Sequence, residues 1–383
     1  GNVTCLGEAL ESFKNVIPTW RGQNEQSMAL AGLAYAKAKR RRQIMVAATS
    51  IGPGCTNLLT AAATAHANRL PILLISGDTF ANRRPDPVLQ QVENFRNPNI
   101  TVSDAFQAFT QYWDRITRPE QLISSLPQAI ATMLDPANCG PAFIGLPQDI
   151  QAEAFDYPES FFEKTLHRIP RPRPDRNSLA EAIKILQQAE KPLVIAGGGV
   201  IYSGATSELT EFVERHNLPV TETIAGRGIF LHEHPWNAGP IGVIGSSSAN
   251  ALAREADVVL AIGTRLQDFT TGSWSVFGNE SMKLISLNAA RYDAHKHRAI
   301  SVVGDALMGI EELGLALKDW RGSETWTSKA RSLYSDWNET VSKHSGPTSS
   351  VPPSYAHVIG AINRVCDKTD LVLTAAGGFP GEL

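Results

Sequence analysis

The sequence contains few cysteines, and no two of them are close together. Cys5, Cys55, Cys139 and Cys366 form no C-x-x-C pair, which argues against a zinc ribbon or a disulfide framework. There is no basic surplus, since the formal net charge is −3. The sequence shows neither a signal peptide nor an apolar run of roughly 18 residues. We therefore expect a cytoplasmic protein that binds neither nucleic acid nor a membrane.

Several motifs of catalytic and nucleotide sites are also missing. There is no G-x-S-x-G or G-x-x-x-x-G-K-[ST], and LHEHP and DAHKH lack the H-E-x-x-H spacing of a zinc site. The segment AGGGVIYSG matches a dinucleotide fingerprint at Gly197 and Gly199, but Tyr202 replaces the third glycine. A strand-to-helix turn needs glycine for positive φ in any case. A tight turn or a vestigial nucleotide pocket is therefore the favoured interpretation.

Apolar segments alternate with helical segments along the chain, of which 43% is hydrophobic and 19% charged. QIMVAATS (43–50), LPILLIS (70–76) and PAFIGLP (141–147) are apolar throughout and are separated by helical patterns. Such strands predict an α/β fold with doubly wound parallel sheets that are covered on both faces. A helix is predicted over 118–134, with Pro127 expected to kink or divide it.

Breaks in this alternation predict the domain boundaries. PRPRP is a stiff, extended segment typical of a linker. A polar stretch rich in Ser and Thr indicates a second linker, after which a helix and the strand DLVLTAA begin a further unit. We expect the first domain to lack its start and the third to be truncated. The predicted organisation is a domain over 1–155, a linker over 156–177, a central domain over 178–320, a linker over 321–352 and a third domain from 353–383.

Two segments of the first domain are candidates for a site. Glu25 stands where the small-residue helix SMALAGLAYAKA begins, and an acid there is also favoured simply by the helix dipole. TSIGPGCTN (49–57) lies between a strand and a helix, at the sheet edge where such folds bind ligands. Gly52 and Gly54 allow the backbone to pass close to a ring, although a plain turn is an equally good interpretation.

These segments, GQNEQSMALAGLAYAKA and TSIGPGCTNLLTAAATAHANRLPILLISGD, together with CGPAFIGLPQDIQAE, resemble thiamine diphosphate-dependent enzymes of the acetolactate synthase and pyruvate oxidase group. KPLVIAGGGV and EADVVLAIGTRLQDFTTG resemble the central domain of that group. The resemblance covers essentially the whole chain. It implies a thiamine diphosphate-binding fold in which Glu25 is catalytic. This chain has Asn24 where the family usually has a histidine.

The resemblance also implies a mechanism. An acid hydrogen-bonded to the aminopyrimidine nitrogen of the cofactor favours the imino tautomer that activates the thiazolium carbon. Burial is expected to raise the pKa of Glu25 so that it shares this proton at neutral pH. By resemblance, the cofactor-binding residues are Glu25, Gly52, Pro53, Gly54 and Asn57. Magnesium and diphosphate ligands are expected beyond Leu383, with no metal ligand in this chain, which should therefore bind the cofactor poorly.

Within the group, RRPDPVLQQVEN and YWDRITRPEQLISSLPQA are closest to a branch that hydrolyses a polyhydroxylated cyclic dione in myo-inositol breakdown. The implied product is 5-deoxyglucuronate. Gln90 is expected near the reaction centre, and Arg83, Arg84 and Asp86 would contact the polyol unless their loop is a solvated turn. A homodimer at least is implied. The alternatives are a carboligase of acetolactate or sulfoacetaldehyde type and a non-catalytic relative.

Overall fold

The fold was obtained as a computed structural model, which describes residues 2–82, 87–367, 369–374 and 377. The chain divides into two units, Gly1–Pro170 and Arg171–Leu383. Within each unit the described strands pair in parallel. The predicted α/β class with parallel sheets is therefore confirmed.

The first unit contains a four-stranded sheet with the order β1-β2-β4-β3. Its strands are β1 Val46–Thr49, β2 Ile72–Asp78, β3 Tyr112–Arg115 and β4 Pro141–Pro147. Its helices are α1 Thr4–Ser12, α2 Glu25–Ala38, α3 Pro53–Asn57, α4 Leu59–Asn68 and α5 Leu122–Leu134. Because all four strands run in parallel, their carboxyl ends and the loops that follow them meet at one edge.

Apolar side chains cover both faces of this sheet. Leu73, Ala142 and Ile144 belong to a core with Ala129 and Met133 of α5. Helices α2 and α4 pack against each other, and α2 also packs against β1 and β2. The small residues of α2 allow this approach, since a Cβ on Gly32 would lie 3.0 Å from Ile72. The start of α2 is thus held close to the carboxyl edge of β1.

The second unit contains a six-stranded sheet with the order β10-β9-β8-β5-β6-β7. Its strands are β5 Pro192–Ala196, β6 Val220–Glu222, β7 Asn237–Pro240, β8 Val258–Ile262, β9 Lys283–Asn288 and β10 Ile300–Val303. Its helices are α6 Arg176–Gln187, α7 Gly198–Ser203, α8 Thr206–His216, α9 Ser247–Glu255, α10 Asp268–Thr271, α11 Arg291–Ala294, α12 Ala306–Leu317, α13 Glu324–His344 and α14 Tyr355–Val365. Alternate residues of β5 enter two different cores, so both sheet faces are buried.

The glycine turn after β5 has a different cause from the one expected. Neither Gly197 nor Gly199 has positive φ. A Cβ on Gly197 would instead lie 2.5 Å from the Gly263 carbonyl oxygen, and one on Gly199 would lie 2.6 Å from the Gly263 Cα. Close packing of two loops at the carboxyl ends of β5 and β8 therefore requires these glycines.

Some local predictions were wrong. Pro127 does not divide its helix, because α5 runs unbroken from Leu122 and the proline lies exposed on its outer side. The predicted loop after β1 is partly helical, since Pro53–Asn57 form α3. Asp370–Thr374 form no strand, although one was predicted there, because no described strand pairs with them.

The predicted linker over 321–352 is wrong for most of its length. Glu324–His344 form a helix of 21 residues, α13. Trp326 and Ala330 enter the core of the second unit, and Tyr334 is also buried. The Trp326 indole donates to the Pro192 carbonyl oxygen at 2.9 Å. Buried side chains at every fourth residue are therefore sufficient to hold an otherwise polar helix against the core. Among the described residues, no helix has both the length and the apolar character needed to cross a membrane.

Candidate functional site

The candidate site lies at the carboxyl edge of β1, where the chain turns sharply into α3. Gly52 caps this helix with φ 77° and ψ −127°, a conformation that favours glycine, and Pro53 occupies its first turn. Proline suits this position because its missing N–H would have no helical partner. The turn therefore presents Gly54 and Asn57 at the sheet edge.

Glu25 reaches this turn from the first position of α2. Asn24 caps the helix, its side chain accepting from the Ser27 N–H at 3.0 Å. The Asn57 Nδ2 donates to Glu25 Oε2 at 2.9 Å. A Cβ on Gly54 would lie 3.3 Å from Glu25 Oε1. The structure thus brings together Glu25, Gly54 and Asn57, which the family resemblance named as cofactor-binding residues, although about thirty residues of chain separate Glu25 from the other two.

The electrostatic state of Glu25 differs from the prediction. Its pKa is lowered, first by the hydrogen bond from Asn57 and second by the backbone N–H of Glu25 itself, while burial acts in the opposite direction. The side chain is only partly buried. Hydrogen bonds to a carboxylate favour its charged form. The expectation of a raised pKa is therefore wrong for this chain, in which Glu25 is ionised at neutral pH.

The Gln90 loop lies against the same turn. A Cβ on Gly52 would lie 1.9 Å from the Gln90 carbonyl oxygen, so only glycine fits there. Gln90 has φ 68°, and its side chain is exposed. The structure thus brings the backbone of Gln90 to the site, while the Gln90 side chain makes no hydrogen bond to Glu25. Arg83, Arg84 and Asp86, predicted to contact the substrate, lie outside the described residues.

Four further residues at this edge were not predicted. Thr49 and Ser50 flank Gly54, with the Ser50 Oγ 3.4 Å from the position of its absent Cβ. Gln91 is buried, and its Oε1 accepts from the Phe80 N–H at 3.4 Å. Asn2 accepts from the Ile51 N–H at 3.1 Å and so anchors the residue before Gly52. Thr49 and Ser50 begin the segment TSIGPGCTN that the sequence singled out, and their strand-end position could have indicated them, whereas no motif distinguishes Gln91 or Asn2.

Neighbouring groups stabilise the edge without offering a nucleophile. Asp78 at the end of β2 is fully buried and pairs with the Arg115 Nε at 2.8 Å, and Arg115 also pairs with Asp104 at 2.6 Å. Burial raises the pKa of the Cys55 thiol to about 12, so it stays protonated at neutral pH. The ionised carboxylate of Glu25 is therefore the acid–base group that this turn presents.

The turn has the features needed to hold a flat heterocycle. Gly52 lets the Gln90 backbone approach the turn, and Gly54 carries no Cβ that would crowd the Glu25 carboxylate oxygen beside it. The buried Thr49 Oγ1 has no hydrogen-bond partner among the described residues. Within the same described part of the chain, no three His, Cys, Asp or Glu side chains are placed to hold a metal ion. These residues fit an organic ring with a polar edge rather than a metal ion.

Family comparisons agree with this geometry. Residues 5–97 match the model of the thiamine pyrophosphate enzyme N-terminal TPP binding domain, which includes Glu25 and the turn from Gly52 to Asn57. Residues 179–313 match the thiamine pyrophosphate enzyme central domain. This chain belongs to the thiamine pyrophosphate enzymes. The two matched segments cover more than half of the chain, and both lie in the α/β units described above.

Several curated members of the thiamine pyrophosphate enzyme family are similar along the entire chain. A 3D-(3,5/4)-trihydroxycyclohexane-1,2-dione hydrolase from Geobacillus thermodenitrificans is 41% identical over 404 residues. Proteins with the same description from Bacillus cereus and Bacillus anthracis are 42% and 41% identical. The chain is covered completely in each case but spans 63% of the length of each relative.

Proposed function

We propose that the full-length protein is a thiamine diphosphate-dependent hydrolase that cleaves a carbon–carbon bond of 3D-(3,5/4)-trihydroxycyclohexane-1,2-dione. The product would be 5-deoxy-D-glucuronate, formed in myo-inositol degradation in the cytoplasm. The observation that carries the proposal is the contact of Glu25 with Asn57 and the Gly54 position, within a segment that matches a TPP binding domain. The descriptions of the relatives support the choice of substrate.

Each group of the turn has a role in this proposal. Thiamine diphosphate, when bound, supplies an activated thiazolium carbon and an electron sink. Glu25 holds a proton at the edge of the aminopyrimidine ring, Gly54 presents no Cβ beside the carboxylate, and Gly52 and Pro53 form the turn that positions Gly54. Hydrolysis adds hydroxyl to the carbonyl carbon that becomes the acid and hydrogen to the other carbon of the broken bond. Magnesium is proposed by family resemblance alone.

The proposed role requires a change in the protonation of Glu25. In this chain Asn57 keeps the pKa of Glu25 low. Covering the carboxylate with an apolar ring and a second subunit would remove water from it and move its pKa upward. Proton sharing at neutral pH would then follow from desolvation of the assembled site.

A homodimer or larger homo-oligomer is part of the proposal. Leu89 and Val92, on either side of Gln90, are 85% and 61% exposed, and Trp20, shortly before α2, is 71% exposed. Large apolar side chains so close in sequence to site residues support a surface that a second copy covers. Sedimentation of the full-length protein should give at least a dimer, and Leu89→Ser should weaken that assembly.

Recognition of the polyol is proposed for Gln90, Arg83 and Arg84. Gln90 has an exposed side chain on a loop whose backbone abuts Gly52. A ring rich in hydroxyl groups requires several directional hydrogen bonds, which amide and guanidinium groups supply. Gln90→Ala should therefore raise KM for the dione more than it changes cofactor affinity.

The proposal is tested by Glu25→Gln in the full-length protein. Loss of the dione and consumption of pyruvate are followed separately, with the exposed Glu8→Gln as the control in the same unit. We expect dione hydrolysis by the wild type, a loss of at least about 10²-fold in Glu25→Gln, and no loss in the control. Pyruvate consumption without dione loss would instead favour a carboligase. Unchanged hydrolysis in Glu25→Gln would remove Glu25 from the mechanism.

A further inference from the structure

The two oxygens of the Glu25 carboxylate have different surroundings. Oε2 accepts the Asn57 Nδ2 hydrogen bond at 2.9 Å. Oε1 lies on the side of Gly54, 3.3 Å from the position where a Cβ would stand. Asn57 ends the short helix α3, whose start is fixed by Gly52 and Pro53, so its amide is delivered from a constrained turn. The two oxygens are therefore distinguished before any ligand binds.

This difference decides where a proton can reside. An amide N–H is a donor, so it is satisfied by a lone pair of a carboxylate oxygen and stabilises negative charge there. A proton on Oε2 would compete with that bond, whereas a proton on Oε1 leaves it intact. Because Gly54 carries no Cβ, no side chain at that position crowds Oε1.

We propose that Asn57 is a positioning residue that acts through Glu25: it holds Oε2 and thereby makes Oε1 the oxygen that exchanges the proton. This inference rests on the proposed function for its catalytic meaning. It also changes the role predicted for Asn57 from the sequence, because Asn57 contributes to cofactor binding through the carboxylate and not through a contact of its own.

The first test needs no cofactor and uses this chain of 383 residues. The side-chain carboxyls of isotope-labelled glutamate are titrated by NMR, and the Glu25 signal is identified by its loss in Glu25→Gln. Asn57→Ala removes the donor and should shift the pKa of Glu25 upward. Asn57→Asp keeps the shape but places a second carboxylate beside Glu25, which should shift that pKa further upward.

The control for this titration is Asn68→Ala. Asn68 also ends a helix, and its amide donates to the Thr64 carbonyl oxygen at 2.9 Å, away from Glu25. This variant should leave the Glu25 titration unchanged. A Glu25 pKa that is unaffected in both Asn57 variants would overturn the inference, and Asn57→Asp keeps the test available if Asn57→Ala does not fold.

The second test is a double-mutant cycle on thiamine diphosphate affinity, measured by calorimetry with magnesium in the full-length protein. If Asn57 acts through Glu25, Asn57→Ala weakens binding in the wild type but causes less than about a twofold further loss in Glu25→Gln. Two losses that multiply would show a direct contact and overturn the proposal. No binding by the wild type would refute the proposed function and this catalytic role together, whereas the titration would still decide whether Asn57 controls Glu25.

Discussion

Gly52→Ala is the most direct perturbation of the site, because it tests two features of one position. Gly52 has φ 77°, which an alanine adopts only with strain. Its Cβ would also lie 1.9 Å from the Gln90 carbonyl oxygen. Since real Cβ atoms essentially never come within 3.0 Å of such an atom, the Gln90 loop must retreat by about 1.1 Å, the difference between the two distances.

The expected cost follows from these two effects. A backbone conformation of positive φ that only glycine adopts readily costs another residue about 1–3 kcal/mol, and overpacking adds about 1–3 kcal/mol. The free energy of unfolding of the first unit should therefore fall by about 2–6 kcal/mol. For a unit of 170 residues, each kcal/mol lowers the midpoint of thermal unfolding by about 2–4 °C.

Gly228→Ala separates the backbone effect from the clash. Gly228 also has positive φ, 85°, but a Cβ there would meet no atom within 4 Å. Gly228→Ala should cost only the backbone strain of about 1–3 kcal/mol. Gly7→Ala is the control without strain or clash in the first unit, because Gly7 lies in α1 without positive φ and with no neighbour within 4 Å; it should raise stability by up to about 1 kcal/mol, the difference in helix propensity.

Urea unfolding followed by circular dichroism measures these differences in the chain itself, and thiamine diphosphate affinity is compared in the full-length protein. Gly52→Ala should lose both stability and cofactor affinity, since the moved Gln90 loop borders the proposed ring site. A stability loss no larger than that of Gly228→Ala would refute the contact between Gly52 and Gln90. Normal cofactor affinity would refute the placement of the ring beside this turn.

Three further predictions concern groups that support the fold. Arg115→Met should lower the free energy of unfolding by about 3–5 kcal/mol in urea titrations, because it leaves the fully buried Asp78 without its partner. Cys55 should resist iodoacetamide at neutral pH, as read by mass spectrometry, while the exposed Cys5 reacts, since burial raises the pKa of Cys55 to about 12. Burial also raises the pKa of Glu222, so its contribution to stability is present in acid and lost as pH rises through the folded-state pKa; Glu222→Gln should flatten this loss.

Matched variants make these predictions specific. Arg96 is exposed in the same unit as Arg115, and Arg96→Met should change stability by less than about 0.5 kcal/mol. Glu181 is exposed on α6, and Glu181→Gln should leave the pH dependence of unfolding as in the wild type. Equal effects of a variant and its control would contradict the corresponding reasoning, as would rapid alkylation of Cys55 in the folded chain.

Most of the sheet could be predicted because its strands are apolar throughout. PAFIGLP forms β4 over the residues expected, and LPILLIS contains most of β2. The strands YWDR (β3) and NAGP (β7) escaped prediction, since four residues of mixed polarity carry no period that differs from a loop. They become strands because β3 pairs in parallel with β4 and β7 pairs in parallel with β6. Such pairing partners cannot be recognised from the four residues of the strand itself.

Helix α13 was predicted wrongly for a different reason. Its sequence is polar enough to be interpreted as a linker, and the side chains that fix it, Trp326, Ala330 and Tyr334, are a small minority of its 21 residues. Burial of one large aromatic side chain stabilises the packed helix by more free energy than many exposed polar residues cost it. Composition averaged over a segment therefore hides the stripe that determines its structure.

For the candidate site too, the fold topology explains which elements meet, whereas the electrostatics depend on individual atomic contacts. A strand-to-helix turn at a sheet edge and the start of a packed helix meet because of the fold, whereas only the family resemblance named Glu25 and Asn57 as residues of one site. The sign of the Glu25 pKa shift could not, because one amide donor 2.9 Å away outweighs the partial burial of the carboxylate. For Glu25 to share a proton with a ring, desolvation must raise its pKa by more than this hydrogen bond lowers it, and the hydrogen bond must remain intact. A carboxylate anchored at one oxygen and desolvated at the other meets that requirement, since its charge is lost at Oε1 while Asn57 still holds Oε2.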